Sequence, residues 1–128
     1  MKQEEYAGKP IRTLGEVILL LQAQPEDNIV RLDFTSGGPW RLHSYRGYYE
    51  DLSLDYRANA EPLTVKQLLA LFEKADGQTF SGYKGGDFKM HRKTLVWVAP
   101  YGSTGRMLVD IKNTGTVTTV CTEEEGSE

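Results

Sequence analysis

Three glycines, three aromatic rings and five Lys, Arg or His side chains fall within the fifteen residues from Thr79 to Lys93. Glycine lets a backbone approach a ligand closely and adopt positive φ. Exposed amides and cationic side chains suit phosphate, and flat rings suit a base. The run Phe80-Ser81-Gly82-Tyr83-Lys84-Gly85-Gly86, with Met90, His91 and Arg92 just beyond it, therefore has the residue types of a nucleotide pocket. It is not a Walker loop, because Gly-Tyr-Lys-Gly-Gly-Asp lacks the Gly-Lys-Ser/Thr ending. Its spacing also differs from the dinucleotide fingerprint. A tight β-hairpin with solvated charges accounts for the same residues.

Two more segments hold similar chemistry. Trp40-Arg41-Leu42-His43-Ser44-Tyr45-Arg46-Gly47-Tyr48-Tyr49 gathers four aromatics, two arginines and a histidine between the first two expected strands. A guanidinium plane and a phenol ring can sandwich a purine, which nominates Tyr45 and Arg46. The alternative is a loop whose tyrosines pack over the core while the arginines face water. In Ala99-Pro100-Tyr101-Gly102-Ser103-Thr104-Gly105-Arg106, Ser103, Thr104 and Arg106 could bind an anion, although turn chemistry also explains the serine, threonine and glycines.

Catalytic apparatus is not evident. No serine stands in a nucleophile elbow, and Cys121, the lone cysteine, lies in an alternating strand-like run. His43 and His91 have no metal-ligand spacing. Asp33, Asp51, Asp55, Asp87 and Asp110 fall at strand positions or strand ends, where paired carboxylates could hold Mg²⁺ and hydrolyse a phosphate. Their spacing matches no metal motif, and outward strand polarity or turn formation accounts for them. The expectation is a protein with no catalytic residues, no metal and no cofactor.

The elements that must position these groups are legible in outline. Thr13-Leu14-Gly15-Glu16 and Thr64-Val65-Lys66-Gln67 both carry a helix-starting capping box. Leu14, Val17, Ile18 and Leu21 follow at helical spacing in the first, and Leu68, Leu69, Leu71, Phe72 and Ala75 in the second, with Gly77 at its C-terminal end. Strands are predicted at 29–34, with Gly37-Gly38-Pro39 as its breaker, and at 52–56. Further strands are predicted at 79–82, 88–90, 95–99, 107–111 and 116–121, the last two joined through Asn113-Thr114-Gly115. Two helices and five to seven strands specify a single α+β domain, an antiparallel-rich sheet or sandwich with both helices on one face.

At 128 residues the chain is long enough for a core without disulfides. The net charge is −3, but residues 123–128 hold four acids, leaving the body at +1. We read residues 1–122 as the domain and 123–128 as an acidic tail. A nearly neutral body argues against a binder of long nucleic acids. The longest apolar run, residues 17–21, is too short to cross a bilayer, and residues 1–6 are polar and acidic, so the expectation is a cytoplasmic protein with no membrane partner. The rings of Trp40, Tyr45, Tyr48, Tyr49 and Tyr101 point to self-association, a dimer or a multiple of it.

Taken together, Ser-Tyr-Arg-Gly-Tyr-Tyr (44–49), Thr-Val-Lys-Gln-Leu-Leu (64–69), Thr-Phe-Ser-Gly-Tyr-Lys-Gly-Gly (79–86) and Leu-Val-Trp-Val-Ala-Pro-Tyr-Gly (95–102) resemble the first Thoeris anti-defence family. These are small phage proteins that sequester cyclic ADP-ribose isomers. The likeness spans roughly residues 13–111, and its most specific piece is the glycine segment with Phe80. It implies a homo-oligomer, up to a hexamer, with some members also holding cyclic oligonucleotides at separate sites. It implies further that Phe80 lines the nucleotide pocket and that Arg106 holds cyclic oligonucleotides. The family's polar residue about ten positions after the phenylalanine is replaced here by Met90 and His91. The leading reading is a phage-encoded sponge in the host bacterial cytoplasm that captures a cyclic nucleotide immune signal without cleaving it. The alternatives are a metal-dependent phosphodiesterase or hydrolase, and a protein-interaction inhibitor of a host defence effector.

Overall fold

The computed structural model describes residues 10–45, 50–81, 86–99 and 105–124. Both capping boxes form. Thr13 Oγ1 accepts from Glu16 N at 3.3 Å while Glu16 Oε1 accepts from Thr13 N at 2.9 Å, opening helix α1 (Leu14–Gln22). Thr64 and Gln67 exchange the same pair at 3.2 and 3.0 Å to open α2 (Val65–Ala75). Each reciprocal cap satisfies two of the amide donors that a helix start leaves unpaired. Gly77 follows α2 at φ +87°, where a side chain would be strained, and its N–H bonds Met90 O at 2.8 Å.

Six strands form one mixed sheet in the order β1 (Ile29–Leu32), β8 (Val117–Glu124), β7 (Arg106–Asn113), β6 (Val96–Val98), β3 (Leu52–Arg57) and β2 (Gly38–Ser44). The β1/β8 and β3/β6 ladders are parallel, and the β2/β3, β6/β7 and β7/β8 ladders antiparallel. The sheet curls nearly into a barrel, bringing its edge strands β1 and β2 close to one another. A separate hairpin pairs β4 (Thr79–Ser81) with β5 (Asp87–Lys89). The protein is thus a single α+β domain, its one large sheet curling rather than splitting into a sandwich.

Side-chain alternation divides the molecule into two cores. On the concave face, Leu52 and Leu54 of β3, Val96 and Val98 of β6, Leu108 of β7 and Val120 of β8 meet Leu14, Val17, Ile18 and Leu21 of α1 and Leu68 and Phe72 of α2. The odd-numbered neighbours on β6 and β7 point the other way. Trp97 and Met107 join Ile11, Tyr45, Leu95 and Ala99 in a small outer core. The residues before α1 tie the two together: Arg12 N donates to Leu108 O at 2.8 Å and Arg12 O accepts from Val96 N at 3.0 Å, so this segment wedges between β6 and β7.

Two expectations are corrected. Gly37-Gly38-Pro39 does follow the end of β1, but Trp40–Ser44 is not loop: a new strand, β2, begins at Gly38 itself. Pro39 lacks a donor, but β2 is an edge strand with a register shift between Pro39 and Arg41, which is where a sheet tolerates proline. Glu123 and Glu124, expected outside the domain, lie within the sheet. They continue β8 opposite Met107 and Arg106.

Candidate functional site

The glycine segment forms the predicted hairpin. Phe80 and Phe88 stand opposite each other, both half-buried against the concave core, and Gly86 holds φ +86°. Tyr83, Lys84 and Gly85 lie outside the described residues, as does Arg46. His91 is exposed, and its Nδ1 accepts from Lys93 N at 3.1 Å. Arg92 is 62% exposed in its side chain and pairs with Asp76 at 3.2 Å, while its carbonyl accepts from Gly15 N at 2.9 Å. Gly15 permits that docking: a Cβ there would stand 3.2 Å from both the Arg92 Cβ and its carbonyl oxygen.

Two expected ligand contacts are core residues instead. Met90 is fully buried in the main core, its backbone bonded to Gln78 and Gly77. Tyr45 is 4% exposed, stacked on Trp97 at 4.7 Å between ring centres and 7° between planes. Its hydroxyl accepts from Gly105 N at 2.7 Å. Trp97 in turn donates from Nε1 to Asp51 at 2.9 Å. Burial of this stack, with its polar edges satisfied, closes the outer core and leaves neither ring open to a base.

Arg106 has the strongest constellation around it. It opens β7 at the rim where β1, β3 and β8 end, and its guanidinium carbon lies 4.8 Å from the centre of the Phe34 ring. Phe34 meets Tyr56 edge to face at 5.2 Å. A hydrogen-bond chain fixes the guanidinium: Nε donates to Thr122 Oγ1 at 2.7 Å, and that hydroxyl donates to Asp33 Oδ1 at 2.8 Å. Asp33 also accepts from Thr122 N at 2.9 Å, so the threonine is held from two sides. Arg106 reaches Glu124 through its second nitrogen at 3.2 Å. Its side chain keeps 27% exposure, which leaves a charged edge facing solvent beside two rings. Burial raises the Tyr56 phenol above its ordinary value; Arg106 opposes the rise and Asp55 adds to it. The phenol is therefore neutral at physiological pH and available as a hydrogen-bonding group.

Sequence reading named Arg106 but not Phe34, Tyr56, Thr122 or Asp33 as its surroundings. The available signal was strand parity: Phe34 and Tyr56 share the inward alternation of Leu32 and Leu54 at the two strand ends.

The five aspartates considered for metal chemistry are each engaged. Asp33 holds Thr122, Asp51 accepts from Trp97, and Asp55 accepts from Arg41 Nε at 2.9 Å. Asp87 accepts from Ser81, and Asp110 from Ile111 N. Among the described residues, no three His, Cys, Asp or Glu side chains converge as a metal site. Burial, with Asp33 and Asp110 adding and Lys112 opposing, pushes the Cys121 thiol up, away from the nucleophilic thiolate. A cleft of about 100 Å³ lies between β1 and β2, lined by Arg31, Gly37, Gly38, Ala60 and Pro62 among others. It is too small for a nucleotide, whose pockets run to roughly 300 Å³ and more. No helix among the described residues is long and apolar enough to cross a membrane.

Of the rings expected to drive self-association, Tyr45 is buried and Trp40 half-buried, while Tyr48, Tyr49 and Tyr101 lie outside the described residues. Compared with known proteins, the chain matches no family model, no curated protein and no solved structure.

Proposed function

We propose that this protein captures a small cyclic nucleotide and holds it unchanged. The observation that carries the reading is Arg106: a half-buried guanidinium, oriented by the Thr122–Asp33 chain, beside the Phe34 and Tyr56 rings. A fixed cation next to aromatic rings supplies a phosphate contact and a surface for a base without requiring turnover. The structural engagement of the aspartates and the protonated Cys121 support binding over conversion. The motif likeness to the Thoeris sponges supplies the ligand class, a cyclic ADP-ribose isomer or a cyclic oligonucleotide, together with a homo-oligomer and the host bacterial cytoplasm as the setting. Capture there would withdraw an immune signal from its receptor.

The test is recovery of the ligand. Protein incubated with a cyclic ADP-ribose isomer or a cyclic oligonucleotide, desalted and then heat-denatured, is expected to release the compound with unchanged mass. Arg106→Gln should weaken capture about tenfold or more, the worth of a charge-assisted hydrogen bond. Asp55→Asn and Asp110→Asn, or added EDTA, should leave capture in place, whereas Asp33→Asn should weaken it by loosening Thr122. Altered ligand, or capture abolished by EDTA, would replace this reading with a hydrolase. Failure to bind any cyclic nucleotide would favour a protein partner.

A further inference from the structure

A second cationic cluster, separate from Arg106, lies on the β2–β3 pair. Trp40 stands at the register shift of β2, and two guanidinium carbons lie over its indole, Arg41 at 4.3 Å and Arg57 at 4.2 Å from the ring centre. Register produces the cluster, since Arg57 stands opposite Gly38 and Arg41 opposite Asp55, one on each side of the shift. Asp55 is 3% exposed and accepts from Arg41 Nε at 2.9 Å, so it neutralises Arg41. Arg57 has no carboxylate partner among the described residues. His43 Nε2 approaches the same carboxylate oxygen of Asp55 at 3.9 Å. The two arginines and one aspartate together leave a single positive charge. The indole N–H of Trp40 is buried and has no acceptor.

We propose that this cluster is an oxyanion site, taking one phosphoryl group of a free phosphate or a phosphodiester, with Arg57 and the Trp40 N–H as its donors. A guanidinium stacked on an aromatic face keeps its N–H edge open for two parallel bonds to phosphate oxygens. The stack also orders Arg57 in advance, which lowers the entropy lost on binding. A buried indole N–H without an acceptor costs free energy that a ligand oxygen would recover. Arg57 is exposed, so its guanidinium meets solvent without any movement of the sheet. This site stands independently of the Arg106 reading.

Two calorimetric titrations at constant ionic strength test it, one with inorganic pyrophosphate and one with a dinucleoside monophosphate. Indole emission follows each titration. Trp97 is wholly buried on the outer core, so a ligand-dependent change reports Trp40. Saturable binding of pyrophosphate alone identifies a free-phosphate site, and binding of the dinucleoside a phosphodiester site. Arg57→Gln should weaken the binding about tenfold or more. Trp40→Phe, which keeps a ring but removes the N–H, should weaken it as well, and Arg31→Gln on β1 should not. Arg57→Lys, which keeps the charge but not the planar fork, should fail to restore full affinity. The proposal is overturned if neither probe saturates, or if the Arg57→Gln protein, melting like wild type, binds as wild type does.

Discussion

Tyr45→Phe separates a core residue from a ligand contact. The substitution keeps the ring, its stack on Trp97 and its burial, and removes only the hydroxyl that accepts from Gly105 N at 2.7 Å. Both partners are buried, so the amide of Gly105 is left without an acceptor. An unsatisfied buried donor costs about 1–3 kcal/mol. For a chain of this length each kcal/mol lowers Tm by roughly 3–5 °C, so a loss near the middle of that range means about 6–10 °C. Thermal unfolding followed by near-ultraviolet circular dichroism is the suitable assay, because the Tyr45–Trp97 stack contributes to the same signal. If Tyr45 were a nucleotide contact instead, the variant would melt with wild type and bind more weakly. A Tm within about 1 °C of wild type would refute the buried-amide argument, since that corresponds to only a few tenths of a kcal/mol.

Gly105→Ala should be destabilising by about 1–3 kcal/mol through overpacking, because the new Cβ would meet Ala99 Cβ at 2.8 Å, Val98 O at 3.0 Å and the Tyr45 ring at 3.1 Å. Chemical denaturation reads the loss, and an unchanged midpoint would show that this corner gives way easily. Phe80→Ala should reduce stability as well as any nucleotide capture, since Phe80 is packed on the concave core opposite Phe88. A cost of about 2 kcal/mol in denaturant is expected for a half-buried phenylalanine; weakened capture with no such cost would mark the ring as a pure ligand contact. For Tyr56 the phenol pKa is raised in the fold, so its contribution is fully present below the ordinary tyrosine range and fades as pH rises through about 10 and above. Tyr56→Phe should flatten that alkaline decline in Tm relative to wild type, and identical profiles would remove Tyr56 as its cause.

Local signals were legible and long-range ones were not. Thr13 and Thr64 announced their helices because a capping box is a four-residue event, and Gly115 marked the β7–β8 turn, where it holds φ +95°. The inward alternation of Leu52 and Leu54 was equally plain. Strand β2 was missed because Gly37-Gly38-Pro39 reads as a breaker unless the strand is known to be an edge, and edge position is set by the order of the whole sheet. Tyr45 and Met90 were misplaced for a related reason. Each adjoins polar, glycine-bearing sequence, yet each is buried by partners distant in sequence, Trp97 for Tyr45 and the main hydrophobic core for Met90. The surroundings of Arg106 draw on β1, β3 and β8, whose ends no sequence window brings together.

The outer core and the Arg106 site meet at Gly105. Tyr45 anchors the Gly105 amide, and the missing Cβ lets that residue sit against Ala99 and Val98, which fixes where β7 begins. Arg106 is the next residue, paired across the sheet with Val98 and Glu124. Its side chain must leave the strand on the face opposite Met107, the face that carries Phe34 and Thr122. A shift of one residue in that start would turn the guanidinium toward the outer core and away from Thr122. The stacked pair of Tyr45 and Trp97 thereby decides which way Arg106 of the proposed site points. Of the rings in residues 40–49, Tyr45 thus bears on the proposed site through strand register, as a positioning residue for the Arg106 cation.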